Sequence, residues 1–247
     1  MTEKSTLSRR GLLKGAFGAA LAAGAGTAAA AFHVDRVDQW DETYDMVIVG
    51  SGFAGLAAAY QAKKEGVERI LVLEKMEAYG GNSALCGALM CMPCTKMQKA
   101  QGIEDSPERL VEDMLAAGRG FNHRDLALTM AENAHKVFDM LIECGVELQD
   151  KVIRLGGHSV PRAHLPKVPS GGAIVVPMHK YLEKAGVEFR NRTNVVQVVM
   201  NDGHADGLVV QTNYDWHDGS FDSTRTIRAT RGIVAATGSW GQDRAFV

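Results

Sequence analysis

Two short apolar runs near the start of the chain flank a segment with helical character. Residues 46–49 and 70–73 are continuous apolar runs, as expected of strands that are buried on both faces of a parallel sheet. Between them, residues 56–64 are rich in alanine and contain no glycine or proline, which favours a helix. The pattern therefore predicts a strand, a helix and a second strand in succession.

The later part of the chain changes from helical to extended patterns. Asp105-Ser106-Pro107-Glu108 provides the cap, the proline and the acidic residue that commonly begin a helix. A second helix, over 124–144, is indicated by apolar residues at helical spacing, namely Leu126, Met130, Ala134, Val137, Phe138 and Leu141. The helix that begins at 105–108 is predicted to continue over 109–117, another helix is predicted over 173–185, and strands are predicted over 187–190, 195–200, 205–214, 220–229 and 232–238. This order predicts an α/β fold with a parallel sheet and a β-meander.

A glycine motif follows the first predicted strand directly. Gly50, Gly52 and Gly55 have the spacing G-x-G-x-x-G, and Glu74 lies 24 residues after Gly50 at the end of the second strand. The glycines allow a tight turn, a close approach of the backbone to a pyrophosphate, and close packing of the helix on the strand. The acidic side chain can accept hydrogen bonds from a ribose diol. The motif in this context predicts dinucleotide binding but does not by itself distinguish NAD from FAD.

Two polar segments have more than one interpretation from their residues alone. Residues 80–83, Gly-Gly-Asn-Ser, can bring backbone amides and short polar side chains to a cofactor, or can form an ordinary turn. Residues 155–172 contain three prolines and four glycines, so a long loop is predicted there. Within it, Arg162 could bind a phosphate or carboxylate and His164 could act in acid–base chemistry. Alternatively, these side chains and His158 only fix the conformation of the loop.

The first 31 residues resemble an export leader. Residues 8–14 read S-R-R-G-L-L-K, which is similar to the twin-arginine signal, and the alanine- and glycine-rich stretch after them is uncharged. A membrane anchor is the alternative, but the stretch is short and weakly hydrophobic for that role. We therefore expect export to the periplasm or the exterior of the cell envelope. Residues 32–43 are predicted to be a polar linker, and residues 44–247 the folded domain.

Charge and cysteine content narrow the classes of function. The net charge is −2 and there is no long basic run, so nucleic acid is not an expected partner. No later segment is apolar enough to span a membrane. Cys91 and Cys94 form a C-x-x-C pair, but Thr95 follows instead of histidine, which excludes haem attachment at this pair, and no second pair suggests a zinc site. A packed loop or an incidental disulfide, with Cys86 nearby, is favoured over a catalytic dithiol.

The motifs taken together resemble a known family. In order along residues 44–241 the chain reads Y-D-M-V-I-V-G-S-G-F-A-G, L-E-K, G-G-N-S, D-S-P-E, S-V-P-R-A-H and A-A-T-G. This series resembles the soluble fumarate reductase flavoproteins, a group that includes flavocytochrome c and urocanate reductases. The resemblance implies a Rossmann-like FAD-binding domain of the glutathione reductase type. It also implies reduction of the C=C bond of a small enoate such as fumarate, with electrons from a separate carrier such as a c-type cytochrome.

The resemblance also implies positions for the FAD contacts. The backbone of residues 50–55 matches the pyrophosphate site, Glu74 the ribose ligand, and Asn82 and Ser83 polar contacts near the pyrophosphate and flavin. Gly87-Ala88 matches a small pair beside the isoalloxazine, where the family usually has Gly-Gly, and the backbone of Val196 matches an adenine contact. The full set is Gly50, Ser51, Gly52, Phe53, Ala54, Gly55, Glu74, Lys75, Gly81, Asn82, Ser83, Gly87, Ala88, Val196, Ala236, Thr237 and Gly238.

The family pattern leaves the catalytic half unassigned. Its proton-donating arginine and its substrate-binding histidine and arginine residues belong to a capping domain and a return segment, and no residue here matches them. We therefore assign no catalytic residue and no metal ligand, and expect the sequence to be truncated before the capping domain. Three other interpretations remain: a flavin electron-transfer module without turnover, a truncated product that does not fold stably, and a flavin dehydrogenase of the ketosteroid type.

Overall fold

The computed structural model describes residues 37–239, which form two compact units. The sheet unit contains residues 37–79 and 186–239, and the helical unit contains residues 80–185. The leader predicted over residues 1–31 lies outside the described residues. The elements in chain order are β1 (Glu42–Val49), α1 (Phe53–Lys64), β2 (Ile70–Leu73), α2 (Gly81–Leu85), β3 (Met90–Cys91), α3 (Lys96–Ala100), α4 (Pro107–Ala117), α5 (Arg124–Glu143), β4 (Ala163–His164), α6 (Gly172–Lys184), β5 (Glu188–Arg190), β6 (Asn194–Asn201), β7 (His204–Thr212) and β8 (Ser223–Ala235).

The sheet unit is built on a six-stranded sheet with the order β5-β2-β1-β8-β7-β6. Strands β5, β2, β1 and β8 are parallel, and β8, β7 and β6 are antiparallel. Val47 of β1 lies opposite Leu71 of β2 on one side and Ile233 of β8 on the other, and Val47 and Leu71 are fully buried. The continuous apolar runs are explained by this burial on both faces. The predicted α/β class, with a parallel sheet and a β-meander, is confirmed.

Strand β8 is a single strand where the sequence pattern predicted two. The patterns over 220–229 and 232–238 suggested a break, but the structure has one strand of 13 residues. Its first half pairs with β7, and its second half continues beside β1, with Ala235 opposite Val49. Gly232 has a φ of +148°, and the register with β1 shifts between Tyr44 and Met46. Glycine adopts this backbone conformation readily, so the irregularity does not end the strand.

The antiparallel strands pack over the parallel part of the sheet. The strand order places β5 and β6 at opposite ends, yet only residues 191–193 connect them. The two layers share one apolar core, in which Leu71 of β2 and Leu208 of β7 are fully buried. As a result, the start of β6 lies beside the end of β2, where the N–H of Thr193 donates to the carbonyl of Glu74 at 2.8 Å.

The segment before β1 is packed against the meander. Val37 and Trp40 contact a buried cluster formed by valines of β6 and β7. Gly207 lies so close beneath Trp40 that a Cβ at this position would overlap the indole ring. Asp41 accepts hydrogen bonds from the N–H and the hydroxyl of Thr226, both at 2.9 Å. Val37, Trp40 and Asp41 of the predicted linker are therefore packed, and β1 begins at Glu42, two residues before the predicted start of the fold.

The helical unit begins its longer helices where the sequence indicated. Ser106 caps α4 by accepting a hydrogen bond from the N–H of Arg109 at 3.1 Å, and Pro107 is its first residue. Gly145 follows α5 with a φ of +81°, as expected of a helix-ending glycine. None of the helices within residues 37–239 is both long enough and apolar enough to cross a membrane.

The buried face of α5 differs from part of the predicted pattern. Leu126, Met130 and Val137 were expected to mark the core side, but all three are exposed. Ala134, Phe138 and Leu141 of the predicted set are buried as expected, together with Ala127, Ala131 and Met140. Ala127 and Ala131 pack with Leu110 and Val111 of α4. Helical spacing allows either face near the start of the helix, and packing against α4 selects the face of Ala127 and Ala131 over that of Leu126 and Met130.

Candidate cofactor site

The glycine turn after β1 is shaped by close backbone contacts. Gly50 has a φ of +108°, and a Cβ at this position would overlap the carbonyl oxygen of Ala236, which follows β8. The N–H of Ala236 donates to the carbonyl of Val49 at 2.8 Å, which fixes this approach. A Cβ on Gly55 would overlap the carbonyl oxygen of Gly50. Only glycine fits at Gly50 and Gly55, so the helix can begin directly against the end of the strand.

The N-terminus of α1 is well suited to an anion. Gly52 is the N-cap, so no side chain caps the N–H groups of the first turn. The first turn, which includes Phe53 and Ala54, contains no acidic residue that would repel an anion. A helix N-terminus carries unpaired N–H groups and the positive end of the helix dipole. Both features favour the binding of a phosphate group. The last turn contains Lys63 and Lys64, as the opposite end of the dipole favours.

Glu74 lies at the end of β2 and is oriented by its neighbours. The side chain is 7% exposed and Ser51 is fully buried. The N–H of Ser51 donates to Oε2 of Glu74 at 3.2 Å, and the hydroxyl of Ser51 donates to the same oxygen. The N–H of Met76 donates to Oε1 at 3.0 Å. A carboxylate can accept about four hydrogen bonds, so Glu74 is held in place and retains capacity for a ribose hydroxyl.

Val196 lies at an irregularity of β6 that leaves its backbone outside the ladder. Val195 lies opposite Val210, and Gln197 lies opposite Val209, so Val196 is an extra residue between two successive pairs. Such a β-bulge leaves the extra residue without a partner strand residue, and bulges are common beside binding sites. Val196 is 43% exposed. Its backbone is therefore in a suitable state to pair with an adenine edge.

The other predicted residues of the sheet unit lie near these four features. Lys75 follows Glu74 and is exposed, with its ammonium 5.3 Å from the centre of the Tyr214 ring. Ala236, Thr237 and Gly238 follow β8, and Gly238 has a φ of +82°. The structure thus brings the turn at Gly50, Ser51 and Ala236 together, with Glu74 against Ser51.

The remaining predicted residues belong to the helical unit. Gly81, Asn82 and Ser83 form the first turns of the short helix α2, where Gly81 and Asn82 are exposed. A Cβ on Gly171 would overlap the carbonyl oxygen of Ser83, so this segment packs closely on the entry to α6. Gly87 is exposed, whereas Ala88 is buried with a φ of +55°. Their assignment to the flavin end of the cofactor stays a prediction.

Arg162 fixes the conformation of its loop by binding two carboxylates. It is fully buried, and its Nε and Nη2 donate to Asp105 at 2.9 and 2.8 Å, while Nη1 pairs with Asp113. Burial alone would raise the pKa of Asp105, but hydrogen bonds from Arg162 and Gln98 and the guanidinium charge hold it below its usual value. Of the two interpretations of Arg162, the structural one fits, because no part of the side chain is exposed for a ligand.

His164 is also part of the packed interior of the helical unit. It is 1% exposed, with Nε2 2.9 Å from the hydroxyl of Thr95 and Nδ1 2.9 Å from the carbonyl of Arg162. Burial lowers its pKa, only partly opposed by hydrogen bonds to backbone carbonyls. A neutral, enclosed imidazole does not reach a substrate. The sequence could not identify Asp105 as a partner of this loop, because the helix-start motif at residues 105–108 already accounted for an aspartate at this position.

The C-x-x-C pair is a packed loop of free thiols. None of the four cysteines, which all lie in the described part of the chain, forms a disulfide, and the Cys94 thiol donates to the carbonyl of Asp105 at 3.2 Å. Cys91 lies 3.8 Å from Nε2 of His158. Burial raises the pKa of both thiols, and for Cys94 the nearby charge of Asp105 adds to this effect. Thiols with raised pKa values are poor nucleophiles at neutral pH, which agrees with the packed-loop interpretation and not with a catalytic dithiol.

The turn at Gly50, the N-terminus of α1 and the acidic residue at the end of β2 define a dinucleotide-binding α/β protein. The sequence model of the family described as FAD binding domain matches residues 45–247, and the chain belongs to this family. This resolves the choice between NAD and FAD that the glycine motif left open. The turn at Gly50, the oriented Glu74 and the bulge position of Val196 all fit the adenosine diphosphate part of FAD.

Comparison with individual proteins confirms the resemblance to fumarate reductase flavoproteins. The chain is 36% identical over 244 residues to the acrylate reductase flavoprotein subunit of Shewanella woodyi. The matched region covers 98% of this chain and 48% of that protein. It is similar to the open conformation of a flavocytochrome c3 fumarate reductase, with a TM-score of 0.71 and 33% identity over 82% of this chain and 35% of the other.

A steroid enzyme shares the fold as well. The 3-ketosteroid-delta4-(5alpha)-dehydrogenase of Rhodococcus jostii RHA1 gives a TM-score of 0.71 at 28% identity, covering 83% of this chain and 47% of the other. The chain therefore spans about half the length, or less, of each of these three relatives.

Proposed function

We propose that this chain is the FAD-binding part of an oxidoreductase that reduces the carbon–carbon double bond of a small enoate such as fumarate. The observation that carries the proposal is the 36% identity to an acrylate reductase flavoprotein subunit along 98% of the chain. The steroid enzyme matches at a lower identity, 28%, over 83% of the chain. In the comparison of solved structures the fumarate reductase matches at 33% identity over 82% of the chain, so the likeness to the enoate reductase is closer at about the same extent.

In this proposal the chain's own residues bind and orient the cofactor. Reduced FAD, when bound, supplies a hydride to one carbon of an activated double bond, and a proton completes the product. The N-terminus of α1 holds the pyrophosphate, and Glu74, fixed by Ser51, holds the adenosine ribose. Arg162 and His164 have structural roles in this proposal, because both are enclosed within the helical unit.

The proposal is tested by the enoate-dependent oxidation of reduced methyl viologen under anaerobic conditions. The purified protein that carries this sequence is loaded with FAD and offered fumarate, acrylate and urocanate. We expect oxidation that requires both FAD and an enoate, and that falls in a Glu74→Gln variant in proportion to its FAD content. A flavin-loaded protein that reduces none of the enoates but dehydrogenates a 3-ketosteroid would overturn the proposal.

The electron donor in this proposal is a separate carrier such as a c-type cytochrome. The sequence contains one C-x-x-C pair, followed by Thr95 instead of histidine, so this pair does not attach a haem. Anaerobic mixing with reduced cytochrome c, followed by absorbance, measures whether the flavin takes up its electrons. Flavin reduction by the cytochrome without any enoate turnover would instead support an electron-transfer module.

We also propose export by the twin-arginine route to the periplasm or the exterior of the cell envelope. The support is the motif S-R-R-G-L-L-K at residues 8–14. Changing Arg9 and Arg10 together to lysine should leave the protein in the cytoplasm, as measured by fractionation of the native host. Unchanged export of this variant would remove the support.

A further inference from the structure

We propose that Tyr214 is a further positioning residue for FAD, which holds Lys75 beside Glu74 at the adenosine end of the site. The proposal depends on the FAD cofactor and is independent of the enoate substrate. It concerns residues of the sheet unit only. Tyr214 was not a candidate from the sequence, where it was only the last residue of a predicted strand.

Tyr214 lies in an unusually long hairpin connection. Residues 213–222 join β7 to β8, whereas most hairpin loops contain two to five residues. The loop is ordered by its own hydrogen bonds, since the N–H of Asp215 donates to the carbonyl of Ser220 at 2.8 Å. The N–H of Asp222 donates to the carbonyl of Thr212 at 2.9 Å and closes its base. Long, ordered loops of this kind are often functional.

The loop reaches the edge of the sheet that carries Glu74. The N–H of Tyr214 donates to the carbonyl of Arg192 at 2.7 Å. The segment around Arg192 is joined to the end of β2, because the N–H of Glu74 donates to Arg190 at 2.8 Å and the N–H of Arg192 donates to Met76 at 3.0 Å. This arrangement follows from the packing of the meander over the parallel strands. Ligands of such sheets bind outside the carboxyl ends of the parallel strands, which is where Tyr214 lies.

The ring of Tyr214 limits the motion of the Lys75 ammonium, and Lys75 is the residue next to Glu74, the predicted ribose ligand. The ammonium of Lys75 lies 5.3 Å from the ring centre, a distance typical of a cation–π contact. The nearby cation Arg192 is engaged by Glu77 at 2.8 Å. Among the residues that the structure describes, the Tyr214 ring is the partner of the Lys75 ammonium. Without the ring, the long side chain of Lys75 would sample many rotamers in solvent.

The chemistry of this edge suits adenosine diphosphate. Glu74 provides a carboxylate for ribose hydroxyls, and Lys75 provides a positive charge and up to three donors for ribose or phosphate oxygens. An ordered lysine binds with a smaller loss of conformational entropy than a mobile one. Tyr214 therefore increases the affinity for FAD by acting through Lys75.

The test is the affinity of Tyr214 variants for FAD and for ADP, which has the adenosine end but no flavin. Tyr214→Leu and Lys75→Gln should each weaken both ligands about two- to fivefold, measured by flavin fluorescence and by calorimetry with ADP. Tyr214→Phe keeps the ring and should bind both ligands as the unaltered protein does. Affinity for FMN, which lacks the adenosine, should not change in any variant.

The chain offers a matched control. The ammonium of Lys64 lies 5.3 Å over the ring of Tyr60 on α1, the same distance as in the proposed pair. Tyr60→Leu should therefore leave the affinities for FAD and ADP unchanged. If Tyr214→Leu lowers the unfolding temperature but leaves ADP affinity intact, the role is structural and the proposal fails. It also fails if the unaltered protein binds no ADP, or if Lys75→Gln has an effect that Tyr214→Leu lacks. None of these results bears on enoate reduction, which the viologen assay measures.

Discussion

Ser51 and Glu74 are joined twice, because the backbone N–H and the hydroxyl of Ser51 donate to the same carboxylate oxygen. Ser51 is the residue between the first two glycines of the motif, and its hydrogen bonds orient Glu74, which lies 23 residues later in the sequence. The turn for the pyrophosphate and the ligand for the ribose are thus one connected structure. Ser51 sets the direction of the Glu74 side chain before any cofactor is bound.

Removing the hydroxyl should therefore affect cofactor affinity. We expect Ser51→Ala to weaken FAD about tenfold, because Glu74 loses a hydrogen bond to its charged oxygen. Flavin fluorescence titration measures the change. Ser223→Ala is the control, since it removes a hydroxyl 2.8 Å from that of Thr212 in the same unit and should leave FAD affinity unchanged. Equal affinities of Ser51→Ala and the unaltered protein would show that Glu74 is oriented without the hydroxyl.

Two glycines with left-handed backbones should respond very differently to alanine. At Gly50 the new methyl group would overlap the Ala236 carbonyl, so we expect a loss of more than about 3 kcal/mol in the free energy of unfolding. Gly66 also has a positive φ, +76°, but has open space around it, so Gly66→Ala should cost only about 1 kcal/mol. Urea unfolding of both variants measures the difference. Similar losses would mean that backbone strain alone, and not the approach of Ala236, requires glycine at position 50.

The pair of Arg162 and Asp105 should stabilise the protein in a pH-dependent way. The pKa of Asp105 is lower in the folded protein than the unfolded value of about 3.9, so its stabilising effect is complete above that pH. It is lost as the pH falls through the lowered folded value. Asp105→Asn should therefore cost about 3 kcal/mol at pH 7 and progressively less below pH 4.

Urea unfolding between pH 7 and pH 2 checks this dependence. Asp139→Asn is the control, because Asp139 forms a salt bridge with Lys96 in which both side chains are at least half exposed. That substitution should cost at most about 0.5 kcal/mol at any pH in the range. A cost of Asp105→Asn that stays constant down to pH 2 would contradict the assignment.

His164 should make the protein less stable in weak acid. Its pKa in the folded protein is lowered by burial, whereas the unfolded chain takes up a proton near pH 6.5. Stability is therefore complete above about pH 6.5 and decreases as the pH falls toward the folded value, by up to about 1.4 kcal/mol per pH unit. In His164→Gln the unfolding free energy should change less between pH 7.5 and pH 5.5. His135→Gln, on the exposed face of α5, should keep the slope of the unaltered protein.

Features set by neighbouring residues could be predicted from the sequence. The close contact of Gly55 with the Gly50 carbonyl, the cap at Ser106 and the end of α5 before Gly145 depend on residues that are near one another in the chain. Residues that are close together in the sequence determine this local geometry, so a sequence motif is enough to predict it. Gly50 was located by the same motif as Gly55, although Ala236, which also requires a glycine there, is distant in the sequence. Glu74 was located equally well, because a strand–helix–strand unit fixes the distance along the chain to the end of the second strand.

Features set by distant partners could not be predicted. Arg162 had two interpretations because its partner Asp105 lies 57 residues earlier in the sequence. The bulge at Val196 depends on its pairing with β7, and the contact of Tyr214 with Lys75 depends on how the meander packs over the sheet. A ten-residue hairpin loop with an aromatic residue near its start was the available signal for Tyr214.

Strand β8 has a consequence for the way the sheet unit opens. A single backbone forms the inner edge of the meander and the neighbour of β1, and it ends at the carbonyl that overlies Gly50. If β6 and β7 open locally, the change in β8 would therefore also affect the phosphate-binding turn at Gly50. The amides of β1, β7 and β8 should accordingly exchange with solvent as one cooperative group, and a cofactor that tightens the turn at one end would slow exchange at the other.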